Sequence, residues 1–281
     1  MADLSAEERP EMTIAAVDKV FAGSIPQLYQ SHFVPLIFQP YADDLARRLT
    51  DRRLSCVLEI AAGTGVATRA LDAALPEDVA IVATDLNAAM VDEARAHGTR
   101  RPVEWRTADA MQLPFPDGSF DCVVCQFGAM FFPDKAGAFA QVRRVLAPGG
   151  LFAFNVWDRI EDNEFADVIT ESLARLFPAD PPRFMARTPH GYHDVDVIAR
   201  DLAAGGFAAT PRIDTVSARS IAPNPRDPAI AYCQGSPLRS EIEARGSLEQ
   251  ATLVATQAME ARFGTGPVDG KIQAHVVMVE R

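Results

Sequence analysis

A chain of 281 residues, 48% hydrophobic and 23% charged, has room for one large domain or one domain with a small cap, and its composition is that of an ordinary globule. The formal charge of −11 argues against a nucleic-acid partner, which needs a basic surface. No apolar run reaches the length of a membrane span, the N-terminus shows no apolar signal core, and four scattered cysteines (Cys56, Cys122, Cys125, Cys233) suit a reducing cytoplasm.

In chain order, residues 1 to about 10 read as a disordered tail. Met12 to Leu49 is rich in aromatics and interrupted by Pro26, Pro35 and Pro40, which predicts short helices; the last puts Tyr41, Leu45 and Leu49 on one face. Strands are expected near 55–60, 79–84, 103–107, 120–126 and 150–156, alternating with helices near 65–75, 87–97 and 135–146. Asn87 and Asp134 are candidate N-caps. Pro148-Gly149-Gly150 is expected to stop the third helix and turn the chain into the fifth strand. Residues 158–193 break the rhythm with Pro178, Pro181, Pro182 and Pro189, and read as an inserted lid. A helix near 194–205, a strand near 212–219, helices near 227–235 and 247–262, and an alternating run Ile272–Val279 complete the chain. Such alternation implies an α/β fold: a doubly wound, mostly parallel sheet with right-handed crossovers, whose ligands sit at the carboxyl ends of the strands.

Two acids mark those ends. Glu59-Ile60-Ala61-Ala62-Gly63-Thr64-Gly65 is a strand running into a glycine turn and then a helix, and its glycines permit close backbone approach to a ligand. The second strand ends in Asp85, 20 positions after Gly65, placed to accept hydrogen bonds from ribose hydroxyls. A dinucleotide site needs three glycines, but the triplet positions read Ala61, Gly63 and Val66. Glu59 would repel a pyrophosphate and suits a ligand with an ammonium group, which favours S-adenosylmethionine over NAD.

The same segments resemble the class I adenosylmethionine-dependent methyltransferases, and among them the ubiquinone/menaquinone-methyltransferase-like small-molecule group. Val57–Gly65, Val82–Met90, Thr107–Ala110, Leu113–Phe120 and Arg144–Gly150 carry the likeness over roughly residues 50–157, with an echo at Ala204–Phe207. The resemblance implies a Rossmann-like, seven-stranded sheet with an antiparallel last strand at its edge, plus a helical lid. Read together with the prolines and the strand–helix rhythm, the chain divides into an N-terminal helical cap (1–50), a cofactor core (51–157), the inserted lid (158–193) and a C-terminal part of the core (194–281). The resemblance also implies that Asp109 accepts from the adenine amino group and that Tyr29 lies over the cofactor. Where the family has glycine, this chain has Ala61.

The candidate cofactor residues are therefore Tyr29, Glu59, Ala61, Gly63, Gly65, Asp85, Leu86, Met90, Asp109, Ala110, Gln126 and Phe127. After the fourth strand, Cys125–Phe132 lacks the Asn/Asp-Pro-Pro-Tyr/Phe motif that grips planar amides, and its apolar character suits a small organic acceptor. Met130, Phe131 and Phe132 divide between core and pocket. Cys122-x-x-Cys125 lies within a strand and reads as buried packing. His97 and His275 read as structural. His190 and His193, at the lid's return to the cleft, are candidate bases, against the plainer reading of hydrogen-bonded hinge residues. The expected chemistry is methyl transfer from adenosylmethionine, yielding adenosylhomocysteine, to an O, N or activated C atom of a small molecule. An RNA or protein methyltransferase, a regulator that binds the cofactor without turnover, and a nicotinamide dehydrogenase stay open as alternatives.

Overall fold

The computed structural model describes residues 23–281, so the expected tail and the part of the N-terminal segment before Gly23 lie outside the described residues. Strands β1 (Cys56–Ile60), β2 (Ala80–Asp85), β3 (Glu104–Thr107), β4 (Phe120–Gln126), β5 (Leu146–Trp157), β6 (Arg212–Ala222) and β7 (Val268–Glu280) form one sheet. Their order is β3-β2-β1-β4-β5-β7-β6. The first five pair in parallel. Val57, Leu58, Ile60, Cys122, Val123, Val124 and Cys125 are all buried, because a parallel sheet covered on both faces needs continuous apolar runs at its centre. Cys122 and Cys125 belong to this core as free thiols, and burial pushes each up to about 12.

The last strand is antiparallel, as the resemblance implied, but it is not at the edge. β7 pairs with β5 on one side and β6 on the other. Its residues Ile272, Ala274, Val276, Val277 and Val279 are buried, while β6 is largely exposed and takes the edge.

Three further expectations need correction. The N-terminal segment is not a set of separate short helices: Ile25–Leu28, Tyr29–Phe38 and Gln39–Arg47 follow without a break, the middle one wound as a π-helix. There the Gln39 N–H reaches back to the Val34 carbonyl, and the wider winding carries Pro35 inside a helical run that a proline would otherwise interrupt. Pro148-Gly149-Gly150 does not separate helix from strand. Pairing starts at Leu146, opposite Phe120, and resumes at Leu151 opposite Cys122, so the turn residues form an irregularity inside β5. Asn87 stands at its helix N-terminus without capping through its side chain, whereas Asp134 accepts from the Gly137 N–H.

The 158–193 stretch holds helices Glu164–Leu176 and Phe184–Arg187. Glu164–Leu176 packs on the C-terminal helix Leu248–Phe263, with Phe165 edge-on to Phe263 at 5.0 Å.

Candidate active site

Because β1, β2 and β4 run parallel, their carboxyl ends open on one cleft, which encloses about 760 Å³ counting its mouth. The chain reaches it from the loop after β1 (Ala61, Gly63), the end of β2 (Asp85, Leu86, Asn87) and the loop after β3 (Ala108, Asp109, Ala110). The end of β4 adds Gln126, Phe127 and Gly128, followed by Phe131, Phe132 and Pro133. Met90 and Tyr29 complete the lining.

Ten of the twelve cofactor candidates therefore come together; Glu59 and Gly65 do not line the cleft. Glu59 lies beneath the glycine turn, where its Oε2 takes the Thr68 hydroxyl. Burial raises its carboxyl to about 8, against the opposing pull of the Thr68 bond and the Arg69 charge. Gly65 is glycine for a different reason from the one its motif suggests. At φ 81° it packs beneath Trp105, whose ring edge would lie 2.7 Å from an added β-carbon. Gly63, at φ 55°, is the residue whose backbone faces the cleft.

Asp85 holds two loops at once. Its Oδ2 accepts from the Gly63 N–H and its Oδ1 from the Asn87 N–H, each at 2.8 Å. Asp85 thus serves the start of the helix after β2 and the cleft at once. Burial raises its pKa, and the hydrogen bonds from Asn87 and Gly63 oppose the rise. Each carboxylate oxygen accepts more than one bond, so capacity remains for ligand hydroxyls. Asp109 turns Oδ1 to the Met111 N–H at 2.9 Å, closing the loop after β3. Leu86 is 47% exposed, an apolar surface at the cleft rim with the size to cover a flat ring.

Two non-glycine residues of the lining have left-handed backbones, Ala61 at φ 53° and Phe127 at φ 50°. Such conformations cost about 1–3 kcal/mol and persist where surroundings over-determine them. Phe127 is held by its N–H, which donates to both the carbonyl and Oδ1 of Asn155 at 3.1 Å. Its ring stacks on Trp157 at 3.9 Å, nearly parallel. Tyr29 stacks on Phe38 at 4.9 Å, and burial followed by the nearby Asp85 charge raises its phenol, which therefore stays neutral.

His190 and His193 do not line the cleft. His190 is buried beside Trp157, and its Nδ1–H donates to the Asp158 carbonyl at 2.8 Å. Desolvation brings its pKa down to about 4, so the ring is neutral at pH 7. His193 donates from Nδ1 to the His190 carbonyl. The sequence reading assigned no role to Gly128 and left Phe131 and Phe132 divided between core and pocket; both phenylalanines line the cleft, while Met130 is buried in the core. The one signal for Gly128 was a glycine directly after the expected end of the fourth strand.

Three buried oxygens in this region, Glu59 Oε1, Thr64 Oγ1 and Gln126 Oε1, have no hydrogen-bond partner among the described residues. Each would cost about 1–3 kcal/mol if left unsatisfied. Gln126 Oε1 can only accept, and Glu59 Oε1 accepts once its carboxyl is ionised, so these two fit a cationic, N–H-rich ligand end better than a pyrophosphate, and the residues suit adenosylmethionine.

A seven-stranded sheet of this order, with acids near the ends of β1 and β2, has the architecture of Rossmann-like methyltransferases. The chain belongs to the class I adenosylmethionine-dependent methyltransferases: residues 58–154 match the family described as methyltransferase domain, and the relatives agree. It is 30% identical over 169 residues to the ubiquinone/menaquinone biosynthesis C-methyltransferase UbiE of Marinomonas, covering 56% of this chain and 67% of that protein. The Proteus mirabilis UbiE is 34% identical over 132 residues, covering 46% of this chain and 49% of that one. Among solved structures, phosphoethanolamine N-methyltransferase 2 of Haemonchus contortus with bound S-adenosyl-L-methionine superposes with a TM-score of 0.55 at 15% identity, covering 91% of this chain and 56% of that one. At that identity it speaks for the fold alone.

Proposed function

We propose that this chain moves the methyl group of adenosylmethionine to a small organic acceptor with an apolar body. The observation that carries the reading is the composition of the cleft. Its two acids, Asp85 and Asp109, lie at the ends of β2 and β3, while the wall after β4 is Phe127, Gly128, Phe131, Phe132 and Pro133, without a charged side chain. A charged acceptor would be desolvated there without a partner. The relatives named as C-methyltransferases support an activated carbon among the candidate nucleophiles.

In this reading Asp85 holds the ribose, Asp109 and Ala110 the adenine, Leu86 and Met90 the apolar faces, and Glu59, directly or through the Ala61–Gly63 turn, the amino-acid end. Bound adenosylmethionine supplies a good leaving group as its sulfonium. The protein's share is to align the acceptor and exclude water, a contribution of up to about 7–11 kcal/mol in model reactions. Tyr29 stays a neutral ring beside the cofactor. His190 is held neutral with its proton at Nδ1, so a role as base falls to its Nε2, and an acceptor that ionises readily needs none. The helical run 25–47 and the 158–193 stretch serve as the cover of the cleft. We place the reaction in the cytoplasm, on the free cysteines and the absence, among the described residues, of a helix long and apolar enough to cross a membrane.

The test is incubation of the purified chain and adenosylmethionine with panels of quinols, phenols and amines, following adenosylhomocysteine. Turnover with a neutral, apolar member is the expected result. Turnover only with RNA or protein would sink the reading.

A further inference from the structure

Gln126 ends β4 and borders the cleft. Its amide nitrogen donates to the Phe38 carbonyl at 3.2 Å, in the helical run that covers the site. That bond fixes which end of the amide is oxygen. The oxygen is buried and has no partner among the described residues.

A second such acceptor lies on the same side of the sheet. Glu59 pairs with Val124, two residues before Gln126, so the side chains of Glu59 and Gln126 leave the same face of adjacent strands. Glu59 Oε1 is likewise buried and unpartnered. Arg69 contributes a positive charge to Glu59, yet its guanidinium is committed elsewhere: Nη1 to the Thr64 carbonyl and Nη2 to Gln30 Oε1. Two neighbouring acceptors therefore want a compact donor with several N–H bonds. An ammonium has three.

We propose that Gln126 is a two-ended bridge: its amide nitrogen holds the helical cover at Phe38, while its oxygen, with Glu59, takes the ammonium at the amino-acid end of the cofactor. This rests on the adenosylmethionine reading given above. One side chain then ties the cover to the ligand, and the tie is reciprocal. A ligand with the amino-acid end binds more tightly when the cover is docked, and docks the cover more firmly in return. A nucleoside lacking that end gains nothing from Gln126.

The test compares adenosylhomocysteine with 5′-methylthioadenosine, the same nucleoside without the amino-acid end, in the wild-type chain and in Gln126→Met, a chain of similar shape without the amide. By calorimetry the substitution is expected to weaken adenosylhomocysteine about tenfold or more and methylthioadenosine less than about twofold. Hydrogen exchange of residues 29–47 in the wild-type chain should slow with adenosylhomocysteine and not with methylthioadenosine, a comparison that needs no variant. Equal weakening of both ligands, or of neither, overturns the bridge, as does wild-type exchange that responds to both ligands alike. Failure of the wild-type chain to bind either nucleoside would overturn the cofactor reading beneath it, an outcome distinct from a mere loss of selectivity.

Discussion

The methyl group of Ala61, in the loop after β1, stands where a side chain at Gly128, in the loop after β4, would have to go. A β-carbon at Gly128 would collide with it and lie 2.8 Å from Cys125 Sγ. The two small residues therefore set the spacing of the two cleft loops jointly. Ala61 adopts this position at φ 53°, a left-handed backbone that costs a non-glycine residue roughly 1–2 kcal/mol. Ala61→Gly should relieve that strain while losing about 0.5–1 kcal/mol to the freer unfolded chain, for a net gain of up to about 1 kcal/mol in urea denaturation. Gly128→Ala should lose about 1–3 kcal/mol by overpacking. In the double variant Ala61→Gly restores part of that loss, with a coupling of at least about 0.5 kcal/mol. Strict additivity would show that the two residues do not share a space.

Asp85 binds the Gly63 and Asn87 amides through separate oxygens, so its removal loosens two sides of the cleft together. Asp85→Ala should weaken adenosylhomocysteine by about a hundredfold, and Asp85→Asn, which keeps one acceptor oxygen, by about tenfold. Calorimetry on the two variants measures the difference. Unchanged affinity in Asp85→Ala would remove this acid from the site.

The strand ends were legible because their signal is local: an acid, a turn and a helix start within seven residues define Glu59–Gly65, and a second acid ends the next apolar run. What the chain hides is which distant residue each small or polar side chain answers to. Gly65 looks like a ligand-facing glycine, yet Trp105 is what occupies its missing β-carbon. Gln126 borders the cleft, but its bond to Phe38 crosses 88 positions and follows no periodicity. The edge placement of the last strand came from the resemblance alone: alternation in Ile272–Val279 marks a strand but says nothing of its neighbours, which lie on both sides. His190 and His193 carried chemical promise by type; the burial of His190 and its bond to the Asp158 carbonyl, and the bond of His193 to the His190 carbonyl, appear only in the fold.

Tyr29 gives a way to tell a ring that senses charge from one that only packs. Adenosylmethionine is a sulfonium cation and adenosylhomocysteine a neutral thioether. If the Tyr29 face lies near the sulfur, Tyr29→Leu should weaken adenosylmethionine more than adenosylhomocysteine, by about 0.5–2 kcal/mol, or roughly two- to thirtyfold. Paired titrations give the ratio directly. Equal losses for the two ligands would leave Tyr29 as packing against Phe38.

Glu59 makes both stability and binding depend on pH, with opposite signs. Burial raises its carboxyl to about 8 in the folded protein, above the roughly 4.3 of an unfolded chain. Folding therefore takes up a proton between these values. The stabilisation is complete below about pH 4 and is lost as pH rises through about 8, with a slope of up to about 1.4 kcal/mol per pH unit. An incoming ammonium favours the carboxylate, so ligand binding near pH 7 should release close to one proton, and affinity for adenosylhomocysteine should rise with pH over that range. Calorimetry in buffers of different ionisation enthalpy counts the proton, and urea melts from about pH 5 to 8 follow the stability. Asp85, also raised by burial, faces the same cleft, and Glu59→Gln separates the two acids. The substitution should flatten both profiles; a proton release that survives it would assign the titration to Asp85 instead.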